Sequence, residues 1–429
     1  MQALTIHRSP RARRLGARAR RVRRYGDIGL VVARSGLVRR VATGSAARRD
    51  ADFARALRTA LERAGGVYVK LGQLLSTRPD LVSATVADEL RRLQQEVAPM
   101  PTAVAHGVVA DELGVAPRRV FRDLADQPVA AASVAQVHRA VLADGRPVAV
   151  KVQRPEVAGR VGRDVDILIR LAETLERRTR WAADQRLAAT MRGFAESLTG
   201  ELDFGAEADN LAAIRTAVER HEDVVVPRPV RTLTRRRVLV MEWIDGEPLA
   251  LAAGRLDPGR RTRLARSLLR CFLDQIFVVG VFHVDPHPGN VHLARDGRIA
   301  LLDCGAIGRL DPDRRAALQA ALVAIAGRDA AGLRSALESL ATAPIRDGAA
   351  LDRGLEDLIA RLRGPGARAD ADLLASFMDV LRRAGLALEP VVYGALRALA
   401  MVEATMGVMA PDLDLVDEAA AYGCELAAA

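Results

Sequence analysis

Lysine is almost missing from this chain. Of its 64 cationic side chains, only Lys70 and Lys151 are lysine, and the rest are arginine. Where positive charge alone is wanted the sequence uses arginine, so solvation does not account for the two exceptions. A compact ammonium and a planar guanidinium differ in shape and in chemistry. Aromatic residues are also scarce, at 3%, and the shortage of stacking partners argues against nucleic acid as a partner. The cysteines Cys271, Cys304 and Cys424 are odd in number and far apart. They form neither a disulfide framework nor a metal-ligand pattern, and they suit a reducing cytoplasm. No uncharged apolar run of about 18 or more residues exists. The best candidate, VVYGALRALAMVEATMGVMA, is interrupted by Arg397 and Glu403 and reads as a helix of a soluble protein. The N-terminus has charge without a continuous apolar stretch, which argues against a secretory signal. The expected location is cytoplasmic.

What is present points to a folded body carrying a basic arm. Half of the 429 residues are apolar and alanine is abundant, which favours helices with cores of Leu, Val and Ala. The net charge is +11. Residues 1–50 hold 14 arginines against Asp27 and Asp50, so the remainder of the chain is nearly neutral. The arm, 1–49, reads as flexible. Two readings of it stand side by side: a solvated tail, or a segment held at an anionic membrane surface.

Helical spacing runs from Asp50 to about Gly114, in ADFARALRTALERAG, SATVADELRRLQQEV and TAVAHGVVADELG. The period then changes. ASVAQVHRAVL and PVAVKVQ, joined at Asp144-Gly145, predict a β-hairpin. Helical spacing returns over roughly 156–219, followed by two strand-like runs, DVVVP and RRVLVMEWI. The remainder is mainly helical apart from a second hairpin at NVHLARDGRIALLDCG. The fold class expected is α+β and two-lobed. A helical extension (50–115) precedes a small sheet-containing lobe with inserted helices (116–244), and a helical lobe follows (245–429).

The strongest chemical signal is HVDPHPGN (283–290) followed by LLDCG (301–305). Asp285 and Asn290 are five apart, and Asp303 lies thirteen further on at the end of a strand. Phosphoryl transfer from a nucleotide needs oxygen ligands for Mg²⁺ and a carboxylate near the attacking group, and this pattern supplies both. His283 and His287 are four apart, but Pro286 and Pro288 exclude a metal-binding helix, so these imidazoles are expected to shape the loop. Upstream, VAVK ends at Lys151, placed to reach the α/β-phosphates of a nucleotide. Its carboxylate partner is expected among Glu201, Asp203 and Glu207, in LTGELDFGAEADN.

With these motifs in this order, the chain resembles the UbiB family of atypical protein-kinase-like proteins over roughly residues 50–420. KLGQ (70–73) is similar to the family's Lys-x-Gly-Gln signature, PVAAASVAQVHRA to its alanine-rich loop, and ELD (201–203) to its Glu-x-Asp element. The resemblance implies ATP and Mg²⁺ as cofactors. It puts Ala130, Ala131, Ala132 and Ser133 where ordinary kinases carry a glycine-rich loop. Lys151 becomes the phosphate lysine and Glu207 its partner, with Glu242 and Ile244 in the linker that meets adenine. Asp285 becomes the catalytic-loop aspartate, and Asn290 and Asp303 the metal ligands. It also sets Lys70 beside Glu201 and Asp203, with the KLGQ helix obstructing a protein substrate. Departures are His-Val-Asp in place of His-Arg-Asp, and Cys304 in place of a phenylalanine. The hydrophobic C-terminal spans of many family members are not expected here.

The function so implied is an atypical kinase-like ATPase supporting isoprenoid-quinone biosynthesis or membrane lipid homeostasis, with a lipid or quinone precursor as a further ligand. A catalytically silent nucleotide-binding scaffold and a small-molecule phosphotransferase are the alternatives.

Overall fold

The computed structural model describes residue 26 and residues 46–76, 82–93, 98–155, 157–184, 186–361, 371–413 and 415–428. Apart from Gly26 and residues 46–49, the arginine arm lies outside the described residues. Contacts divide the chain into two compact units. The first holds the described residues up to Ala140, with Val150–Asp203 and Arg236–Val238; the second holds Val141–Ala149, Phe204–Arg235 and the residues from Leu239 onward. The break at 203/204 differs from the expected lobe boundary at 244/245, because helix Phe204–Ala217 packs against elements of the later chain.

In the first unit, helix α1 (Ala46–Ala64) turns sharply into α2 (Val67–Ser76) through Gly65 and Gly66, both at positive φ (67° and 52°). That left-handed backbone is strained for any residue with a Cβ. Next, α3 (Ala84–Leu90) is capped by Ser83, whose hydroxyl accepts from Val86 N–H. It stops earlier than its sequence pattern predicts, as a tight turn after Leu90 carries Leu93 into the core. Further along come α4 (Thr102–Leu113), α5 (Val157–Arg178), α6 (Arg180–Asp184) and α7 (Leu187–Gly200). Val67, Val69 and Leu71 of α2 share a core with Leu61, Leu90, Leu93, Leu168, Met191 and Leu198.

Gly72 is the point of closest approach. A Cβ there would lie 2.2 Å from Leu93 Cδ1 and 2.9 Å from Leu61 Cδ1, so its missing side chain lets α2 nest against its neighbours.

A five-stranded sheet follows the order β1 (Phe121–Leu124), β3 (Ala135–Leu142), β4 (Pro147–Gln153), β6 (Val238–Glu242), with β2 (Ala130–Ala131) paired to β3. The β3–β4 turn falls at Asp144-Gly145, where Gly145 has φ 87° and the Asp144 carboxylate accepts from Arg146 N–H.

The second unit begins with α8 (Phe204–Ala217). It contains a four-stranded sheet in the order β5 (Val224–Val225), β10 (Ile299–Leu301), β9 (Val291–Ala294), β7 (Gly246–Pro248), and the pair β8 (Val281–His283) with β11 (Ile307–Arg309). Its helices are α9 (Leu249–Ala252), α10 (Pro258–Leu273), α11 (Pro312–Ala326), α12 (Ala330–Leu340), α13 (Gly348–Arg361), α14 (Ala371–Arg383), α15 (Pro390–Met409) and α16 (Leu415–Ala428).

Helix α10 does not end cleanly. It widens into a π-turn over Asp274–Val279, closed by Gly280 at φ 74°. Widening leaves carbonyls short of helical donors, and α11 supplies substitutes. Gln319 donates to Phe277 O (2.6 Å) and Arg315 to Val278 O (2.7 Å). Asp274 accepts from Tyr422 and lies 2.9 Å from His221 Nε2. Burial alone would raise the pKa of Asp274, yet these two partners hold it below the usual carboxylate range. Helix α15 is the one helix among the described residues long and apolar enough to cross a membrane. Here it buries Val392, Ala395, Ala398, Val402, Met406 and Met409.

Candidate functional site

Strand geometry in the first unit sets the surroundings of the two lysines. Side chains two apart on a strand share a face, so Lys151 and Gln153 project together from β4. Gln153 is buried, and its amide donates to Leu202 O at 2.9 Å. Leu202 is the centre of Glu201-Leu202-Asp203, a turn that leaves α7 through hydrogen bonds from Leu202 N to Thr199 O and Asp203 N to Gly200 O. Lys70, on α2, forms an ion pair with Glu201 in which both side chains are about one-third exposed or less. One acidic turn therefore meets Lys70 directly and is tied to the Lys151 face of β4 through Gln153.

The alanine-rich loop is a tight reversal between β2 and β3. Ala132 N–H donates to Ala135 O at 2.8 Å, so this amide is engaged within the protein. Arg154 holds the loop from outside, donating from Nε to Ala132 O (2.8 Å) and from Nη2 to Ala98 O (2.7 Å). Burial lowers the pKa of Arg154, although the guanidinium stays charged at any ordinary pH.

In the second unit, β8 and β11 run antiparallel with His283 opposite Ile307 and Phe282 opposite Gly308. A Cβ on Gly308 would lie 2.0 Å from the Phe282 ring, so glycine gives this aromatic its room. The pairing puts the loop leaving β8 and the loop entering β11 at the same edge. Two further bonds join them, Val284 N to Ala306 O (3.2 Å) and Leu302 N to Asn290 O (2.9 Å). Asp285, Asn290 and Asp303 all lie on the two loops so joined.

Their side chains are held locally. His283 is buried; its Nδ1 accepts from Asp285 N–H (3.1 Å) and its own N–H donates to Gln275 Oε1 (3.0 Å). Burial pushes its pKa below the ordinary imidazole value, against the opposing charges of Asp303 and Asp285. With Nδ1 accepting, the neutral ring carries its proton on Nε2, which is buried without a hydrogen-bond partner among the described residues. His287 Nδ1 accepts from Gly289 N–H, so both histidines brace backbone, in agreement with their expected role. Asp303 Oδ1 accepts from Gly305 N–H (2.9 Å), which sets the carboxylate's rotamer, while Cys304 is fully buried. Arg397, from α15, reaches Asp285 at 3.4 Å.

The remaining expected residues have plain positions. Glu207 is buried in the first turn of α8. Glu242 is exposed at the end of β6, with its N–H on Arg228 O (2.9 Å), and Ile244 is half-buried two residues on. No sequence motif marks Gln275, Arg154 or Arg397 as part of the site. For Gln275 and Arg397 the available signal was a polar residue inside an otherwise apolar stretch.

Comparison with known proteins bears on the family. The ABC1 atypical kinase-like domain matches residues 92–337. An uncharacterized protein of Synechocystis is 36% identical over 277 residues, 62% of this chain and 68% of that protein. A probable protein kinase UbiB of Marinobacter nauticus is 36% identical over 280 residues, 64% of this chain and 51% of its own length. The chain thus spans about half the length of that curated relative. Among solved structures, the Rv3197–erythromycin complex from Mycobacterium tuberculosis is similar with a TM-score of 0.50 at 25% identity, covering 81% of this chain and 93% of that one. Two joined loops that carry Asp285 and Asp303, a Lys-x-Gly-Gln helix on a Glu-x-Asp turn, and a domain match over more than half the chain lead to one assignment: the protein belongs to the UbiB/AarF family of ABC1 atypical kinase-like proteins.

Proposed function

We propose that this chain binds and hydrolyses Mg-ATP, and that turnover serves isoprenoid-quinone biosynthesis or membrane lipid homeostasis. The observation that carries the reading is the joined pair of loops, with Asp285 and Asn290 on one and Asp303 on the other. Their donor set fits a hard cation. One carboxylate and one amide oxygen leave most coordination positions to water and phosphate oxygens, which is how Mg²⁺ is ordinarily held at nucleotide sites. Among the described residues no group of three or more His, Cys, Asp and Glu forms a self-sufficient metal centre, in keeping with a cation completed by its substrate.

Asn290 and Asp303 would hold the Mg²⁺, which neutralises phosphate charge when bound. Asp285 orients the attacking oxygen and takes its proton. By resemblance to the family, Lys151 would be the phosphate lysine, and the alanine-rich loop, with its Ala132 amide already engaged, would offer phosphate fewer amides than a glycine loop does. Lys70, clasped by Glu201, fixes the KLGQ helix. The arginine arm, 1–49, is proposed to bring the protein to anionic lipid headgroups.

Purified protein with Mg-ATP should release inorganic phosphate, and more of it with anionic liposomes carrying a quinone precursor. ATP binding without release under either condition would favour the silent scaffold. A second test concerns Lys70. Lys70 meets Glu201 as a compact ammonium, and a planar guanidinium differs from it in shape and in hydrogen-bond geometry. Lys70→Arg should shift KM or kcat for ATP by about fivefold or more, the equivalent of about 1 kcal/mol. Wild-type values of both would make the lysine incidental.

A further inference from the structure

We infer that Arg397 is a catalytic residue whose guanidinium contacts the transferring phosphoryl group beside Asp285. The inference rests on the ATP reading above and names a residue outside the matched kinase-like domain, which ends at 337.

Three observations converge on it. The first is a local lack of charge. Neither the 284–290 loop nor the 302–306 loop contains a lysine or arginine, although both carry an aspartate. Beyond the Mg²⁺ that Asn290 and Asp303 would hold, a phosphoryl group arriving there meets no cationic side chain from either loop. The second is placement. Gly394 of α15 lies against Val284, with a Cβ position 3.6 Å from Val284 Cγ1, so the helix approaches the catalytic loop closely. Arg397 is one turn further along the same face, and its Nη2 stands 3.4 Å from Asp285 Oδ1. The third is an incomplete set of bonds. That separation is longer than a tight charge-assisted hydrogen bond. Arg397 Nε is buried without a hydrogen-bond partner among the described residues. A buried donor left unpaired is costly and calls for an acceptor.

The chemistry follows from this position. The attacking water's oxygen bonds to the γ-phosphorus as the bond to the β,γ-bridging oxygen breaks. ADP leaves with that electron pair. The water's proton passes to Asp285 and then to solvent, and inorganic phosphate is released. Arg397 donates to the equatorial oxygens of the group in transit, where a fixed guanidinium is most effective, and keeps Asp285 in position as acceptor. An aspartate alone would repel the phosphoryl group it must serve.

The test compares wild type with Arg397→Ala and Arg397→Met, the second retaining an apolar stem if the first folds poorly. Turnover should fall by about 10²-fold or more. Affinity for a non-hydrolysable ATP analogue relative to ADP should fall by about tenfold, since only the former carries the γ-phosphate. Added guanidinium ion should restore part of the turnover of Arg397→Ala, a rescue that a purely structural contact would not give. An unchanged analogue-to-ADP ratio together with turnover within about twofold of wild type would overturn the assignment, and Mg-ATP hydrolysis by wild type would still stand. If wild type itself fails to hydrolyse ATP, the proposed activity falls, and the affinity ratio alone decides whether Arg397 meets the γ-phosphate.

Discussion

Asparagine in place of Asp303 should lower ATP turnover by about 10²–10³-fold while leaving the unfolding midpoint of the nucleotide-free protein unchanged. The two side chains are nearly isosteric, and an amide oxygen can still accept from Gly305 N–H, the bond that fixes the Asp303 rotamer. The connections between the loops also persist, because Leu302 N to Asn290 O and Val284 N to Ala306 O are backbone bonds. What the substitution removes is one negative charge from a residue that would hold the divalent cation. Phosphate release measured across a range of Mg²⁺ concentrations separates the possible causes. A lost ligand should raise the Mg²⁺ requirement as well as lower kcat. Turnover within tenfold of wild type, with an unaltered Mg²⁺ dependence, would remove Asp303 from the metal site.

Alanine at Gly72 should destabilise the protein, whereas alanine at Gly107 should stabilise it. Both glycines lie inside helices, α2 and α4, where replacement by alanine gains about 1 kcal/mol of helix propensity. Their surroundings differ. No atom approaches within 4 Å of a Cβ built at Gly107, so the propensity gain is realised there. At Gly72 the new methyl would lie 2.2 Å from Leu93 Cδ1 and 2.9 Å from Leu61 Cδ1, inside a well-packed core. Overpacking of this kind costs about 1–3 kcal/mol, enough to reverse the sign. Urea denaturation of the two variants checks the contrast. Stabilisation by both would mean that α2 does not nest against α1 and Leu93 as described. Since Lys70 is on the same helix, displacement of α2 should also loosen its pairing with Glu201.

How much of this was legible beforehand depended on whether the signal was local. The β3–β4 hairpin could be found because Asp144-Gly145 sits between two alternating strands. The loop carrying Asp285 and Asn290 is set by residues five apart, and prolines on either side of His287 exclude a helix. Strands β8 and β11, by contrast, are three residues each, too short to show a period, though their pairing brings the loops that carry Asp285 and Asp303 to one edge. The contact of Lys70 with Glu201 joins residues 131 apart, and only the family resemblance foretold it. The π-turn at Asp274–Val279 has no sequence period of its own. Its product, Gln275 aimed at His283 N–H, therefore reads in sequence as a polar interruption and nothing more. Arg397 was visible in the same limited sense, as a charge that spoils an apolar helix.

The scarcity of lysine also makes this protein a two-site chemical reporter. Amine-directed acylating reagents pass over guanidinium groups, which stay protonated at any workable pH. Among the side chains they can therefore mark only Lys70 and Lys151. The two stand in different settings, one clasped by Glu201 on a helix and the other on a strand beside Gln153. An ammonium must shed its proton, and here its carboxylate, before it can react. The acylation rate at Lys70 thus measures how often that clasp opens, with Lys151 as an internal reference in the same digest.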